Sequence, residues 1–138
     1  MSKMACRCGA IISDTAVPCP TEGWIRRDQD QDDYFGTVSR DIVAFFAAVD
    51  AGQRESWIKG HFSPMYPSDI HNGEVVNDIL ASHAKRFELS VCECTECGRL
   101  HVQRSNGENS YYSYAPDEQG YKGVLRSHSV NSSASNLP

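Results

Sequence analysis

The chain carries six cysteines, Cys6, Cys8, Cys19, Cys92, Cys94 and Cys97, and four of them fall in two short clusters that each end in Cys-Gly. The first cluster is Cys6-Arg7-Cys8-Gly9 and the second is Cys94-Thr95-Glu96-Cys97-Gly98. Thiols at such spacing bind metal, because a tight turn presents two sulfurs to one ion while backbone N–H groups point at them. The residue after the second Cys often needs a positive φ, which glycine adopts at little steric cost. Structural zinc takes four tetrahedral N or S ligands, so Cys94-x-x-Cys97 is incomplete alone and the N-terminal pair is its natural complement. The expectation is one structural Zn2+ held by Cys6, Cys8, Cys94 and Cys97. A local set, Cys92, Cys94, Cys97 and His101, also offers four suitable ligands. It would leave Cys6-x-Cys8-Gly9 unexplained and would take Cys92 out of an apparent strand. Cys19 and Cys92 otherwise read as small hydrophobes without chemistry.

Catalysis finds little support in the residues. A four-thiolate shell is closed and leaves no position for water or substrate. None of the histidines, His61, His71, His83, His101 and His128, stands in an H-E-x-x-H helix, and no Ser lies in a G-x-S-x-G turn. The reading is therefore not an enzyme. The acidic segment Asp28, Asp30, Asp32 and Asp33 lacks the Gly and terminal Glu of a calcium loop. Its plain reading is a solvated turn, and its functional reading is a contact for a basic partner or for an adventitious cation.

The elements that must position these residues follow from period. A helix is expected from Ser39, with Ile42, Phe45, Phe46 and Val49 on one face and Gly52 at its end. A short helical piece at Ser56-Trp57-Ile58 follows, and a second core helix runs from a cap at Asn72 to Lys85-Arg86. The period then becomes two through Phe87, Leu89 and Val91, and again from Leu100 to Arg104. Asn106-Gly107 marks a turn before the strand formers Tyr111, Tyr112 and Tyr114. Residues 1–27 read as loop plus a short strand at Trp24-Ile25. The fold class is α+β, with two core helices packed on a small antiparallel zinc-ribbon-like sheet. Residues 1–126 read as a single zinc-stapled domain, and Ser-rich 127–138 as a disordered tail.

Length and charge bound the partners. The chain has 138 residues and a formal net charge of −5, which four thiolates and one zinc ion would take to about −7. No basic run exceeds a pair, so nucleic acid is an unfavourable partner. The longest apolar run, Ile42 to Val49, is far short of the ~18 residues that a membrane helix needs. The first residues lack the apolar core of a signal peptide, so the expected compartment is the cytoplasm. These features describe a binding module whose partner is another protein, with acidic charge steering it to a basic one. Neutralising a toxin, as immunity proteins do, is one job that suits this size and charge. The runner-up is a zinc-ribbon nucleic-acid or transcription-associated protein whose Tyr111, Tyr112 and Tyr114 stack on bases.

Cys6-x-Cys8-Gly9, Ile12, Asp14, the Gly-aromatic-Ile strand with Asp28-Gln29-Asp30, and Cys94-x-x-Cys97-Gly98-Arg99-Leu100 ahead of a Tyr-rich strand form a wider pattern. It resembles a group of small, uncharacterised bacterial zinc-binding proteins with split C-x-C-G and C-x-x-C-G motifs. The resemblance covers both ends well and the helices loosely, and it implies a bacterial cytoplasmic protein with one structural zinc. It carries over no catalytic residues. Cys19 and Cys92 depart from that pattern.

Overall fold

The computed structural model describes residues 3–127, so all but the first residue of the expected tail at 127–138 lies outside the described residues. Two compact units divide the chain: residues 26–89 form one, and the segments before and after them form the other.

The inner unit is helical. Helix α1 spans Gln31–Asp50, α2 Arg54–His61 and α3 Asn72–Phe87. There are thus three helices rather than two. Helix α1 also begins well before Ser39. Asp28–Asp30 form one 3-10 turn ahead of it, and Asp32 and Asp33 sit in its first turn. Carboxylates there complement the partial positive charge of unpaired N–H groups, so the acidic run opens a helix instead of forming a loop. Gly52 ends α1 at φ 71°, and its N–H donates to the Val49 carbonyl at 3.1 Å. The cap of α3 is His71, whose backbone N–H donates to the Glu74 side chain at 3.2 Å. Asn72, expected as the cap, instead accepts from Arg54 Nε at 2.8 Å. The same guanidinium donates to the carbonyls of Ser68 and Ile70, which pins the chain between α2 and α3.

Apolar spacing along these helices builds two clusters. Phe45, Ile58, Val75 and Ile79 are fully buried in one, with Trp57, Phe62 and Tyr66 packed around them. Tyr34, Val38 and Phe87 form the other. Phe46, expected on the core face, is 43 % exposed, because a residue adjacent to buried Phe45 lies about 100° round the helix.

The outer unit is built from short strands. β1 (Lys3–Ala5) and β2 (Ile11–Ser13) pair antiparallel, with Met4 opposite Ile12. This hairpin replaces the loop expected near the start. β3 (Glu22–Arg26), β4 (Glu88–Glu93), β5 (Leu100–Gln103) and β6 (Tyr111–Tyr114) form a four-stranded sheet in the order β3-β4-β5-β6. β4 and β5 pair with Cys92 opposite His101, and β5 and β6 with Val102 opposite Tyr112. Among the described residues the architecture is α+β, with three α-helices and two small antiparallel sheets.

A candidate four-cysteine metal centre

Each pair of clustered cysteines lies in the turn of one hairpin. In the β1–β2 turn, Gly9 N–H donates to the Cys6 carbonyl at 3.0 Å, and Cys6 N–H donates to the Ala10 carbonyl at 2.8 Å. In the β4–β5 turn, Gly98 N–H donates to the Cys94 carbonyl at 2.8 Å, and Cys94 N–H donates to the Arg99 carbonyl at 2.9 Å. Both glycines have positive φ, 93° at Gly9 and 70° at Gly98. That conformation lets each chain curl round its two thiols without a Cβ clash. Gly98 is constrained twice, since a Cβ there would stand 2.0 Å from the carbonyl oxygen of Tyr121.

The two turns bring Cys6, Cys8, Cys94 and Cys97 together, with their sulfurs all within 4.8 Å of one another. Cys6 Sγ lies 3.6 Å from Cys97 Sγ, and Cys8 Sγ lies 3.6 Å from Cys94 Sγ. A disulfide needs about 2.05 Å, so neither pair is bonded. A tetrahedral ion with metal–sulfur bonds of about 2.3 Å sets its sulfurs about 3.8 Å apart, close to the spacing found. Four sulfurs so placed can hold a metal ion.

The thiols are not equivalent electrostatically. Burial pushes Cys6 up to about 12 in the metal-free form and raises Cys94 as well. Cys97 is drawn down to about 7, chiefly by the backbone N–H of Arg99. Cys97 therefore loses its proton more readily than Cys6 or Cys94, and a bound cation would favour deprotonation of those two buried members.

Cys92 and His101 do not belong to this cluster. The Cys92 thiol is pushed up to about 11 by burial and by the nearby negative groups, Glu22 first. His101 is 4 % exposed, and burial holds it below the usual histidine range with Arg99 and Arg7 acting the same way. Cys19 sits 3.3 Å from the Thr21 hydroxyl. Asp28, Asp30, Asp32 and Asp33 belong to the helical unit, where Arg27 Nε pairs with Asp30 at 2.5 Å.

Reading the sequence missed Glu93. It is 2 % exposed, and its two carboxylate oxygens accept the N–H groups of Gly123 at 2.5 Å and Leu125 at 3.1 Å. It thereby fastens the segment after β6 to β4. An acid in a six-residue strand gives no local sign that it points inward.

Fold and site together define an α+β protein with a four-cysteine cluster suited to a metal ion. Residues 2–118 match a family described as a domain of unknown function, DUF8617, and the chain belongs to that family. No curated protein and no solved structure matches it.

Proposed function

We propose that this chain is a non-catalytic protein-binding module of the bacterial cytoplasm, stapled by one structural Zn2+ in a zinc-ribbon-like unit, and that its partner is a basic protein. Four clustered thiols with tetrahedral spacing support a soft, tetrahedral ion such as zinc, and four thiolates would leave it no exchangeable position. The observation that carries the binding role is the outer face of α1. Phe35, Val43 and Phe46 are 53 %, 69 % and 43 % exposed, and they recur at helical spacing one turn after exposed Asp32. An apolar stripe beside carboxylates suits a partner with an apolar patch rimmed by Lys or Arg. Neutralising a basic toxin is the job that fits a module of this size and charge.

The test is capture from the native cell with zinc-loaded chain. A partner retained by wild type should be lost from Phe35→Ser/Val43→Ser, and should associate more slowly with Asp28, Asp30, Asp32 and Asp33 changed to Asn or as salt rises. Capture insensitive to all these changes would remove α1 from the interface.

A second reading rests on β6. Tyr112 and Tyr114 are 52 % and 56 % exposed, and the Arg104 guanidinium lies 4.7 Å over the Tyr112 ring. Such a face could stack on single-stranded bases. Salt-sensitive binding of DNA or RNA that Tyr112→Ala weakens would establish this reading in place of the first.

A further inference from the structure

A second group of ligand side chains lies wholly within the helical unit, and the cysteine centre takes no part in it. Asp41 comes from α1, His61 from the last turn of α2 and His83 from α3, and one ligand atom from each lies within 4.8 Å of the others. Both imidazoles aim Nε2 at the same carboxylate oxygen. His83 Nε2 is 2.6 Å from Asp41 Oδ2, and His61 Nε2 is 3.8 Å from it. All three are largely shielded, with side-chain exposures of 19 %, 23 % and 16 % in chain order.

The His61 ring is fixed from outside the group. It stacks on Trp57 at 4.4 Å and 11°, and meets Phe62 edge-on at 4.8 Å. A half-buried imidazole so clamped presents its nitrogen to the carboxylate at a distance too long for a hydrogen bond. A further charged neighbour is Arg40, whose Nε lies 3.9 Å from Asp41 Oδ1, the carboxylate oxygen that the histidines do not face.

We infer that Asp41, His61 and His83 form a second metal site, for a divalent first-row transition ion of the zinc class. Two imidazoles and one carboxylate are a common donor set for such ions. Bonds of about 2.0–2.2 Å in tetrahedral array place ligand atoms about 3.3 Å apart. From the present geometry the His83 contact would lengthen and the His61 contact shorten, each by less than an ångström. Three protein ligands leave at least one position open to water or another oxygen donor, which the four-cysteine centre does not.

The experiment uses the full chain loaded with one equivalent of Zn2+, which the four-thiol cluster takes first, checked by the loss of four of the six reactive thiols, and Co2+ as the probe. Wild type should take up one further equivalent, giving visible d–d absorption without thiolate charge-transfer bands. Asp41→Asn and His83→Ala, confirmed folded by circular dichroism, should weaken that uptake by about 100-fold, at least the loss seen when only the outer shell of a site is altered. Should those variants fail to fold, wild type still decides the matter: bound Co2+ should broaden the imidazole resonances of His61 and His83 and spare His71, at the far end of α3 from His83. Absence of the second equivalent, uptake unchanged in the folded variants, or broadening confined to other histidines would each overturn the site.

Discussion

Gly9 and Gly98 hold like places in their two turns, yet they tolerate change unequally. Alanine at Gly9 meets open space and bears only the cost of positive φ, about 1–2 kcal/mol. Alanine at Gly98 must also displace the Tyr121 backbone. Gly98→Ala should therefore lose several-fold more metal to a competing chelator than Gly9→Ala, and equal losses would show that the close approach to Tyr121 is immaterial. Cys92 permits a second check. With its thiol held up at about 11, it should react with iodoacetamide at neutral pH far more slowly than Cys97 in the metal-free chain, where Cys97 sits near 7. The cysteine cluster was legible because its signal is local, two thiols and a glycine within five residues. Asp41, His61 and His83 were not, since they stand on three helices and no short window contains two of them.

Among the elements, α1 shows where local patterning misleads. Its first ten residues are largely polar and include Gly36, so the apolar period becomes visible only from Ile42. The acids that resembled a loop are those that favour the helix start. Changing Asp32 and Asp33 to Asn should cost about 0.3–1 kcal/mol each in stability measured by urea unfolding, apart from any effect on a partner. β1 and β2 escaped notice for a different reason, because three-residue strands are too short to display a period of two. The buried face of α1 was clearer, and Phe45→Ala should destabilise by about 3–5 kcal/mol. Between α2 and α3, the Tyr66 hydroxyl donates to Asp78, and burial first and that carboxylate second push the phenol up to about 12. The unfolded chain releases this proton near 10 and the folded chain does not. The contribution is thus whole below pH 10 and is lost as pH rises toward 12. The stability difference between wild type and Tyr66→Phe should shrink over that interval, and a difference constant with pH would show that the phenol is not held back.

At the scale of the molecule, the helices are an excursion between the two halves of the cysteine centre. A metal joining Cys8 to Cys94 closes a loop of 86 residues, for which the chain-entropy relation developed for disulfides gives about 4.6 kcal/mol. The buried helical clusters contain none of the four cysteines. Chelation should consequently abolish the protection of the outer strands in hydrogen exchange while most of the helical circular dichroism persists. Simultaneous loss of both would mean that the two units share one cooperative transition. Composition and period were enough to predict an α+β chain. They could not reveal its division into two units, because that depends on which distant segments meet.

The same interleaving has a consequence during synthesis. At about 5–20 residues per second, a ribosome needs roughly 4–17 s to travel the 86 positions from Cys8 to Cys94. Throughout that interval the nascent chain carries Cys6 and Cys8 with neither Cys94 nor Cys97 yet made. These two thiols are then open to oxidants and to stray copper, and the helices have time to fold before the four sulfurs can meet.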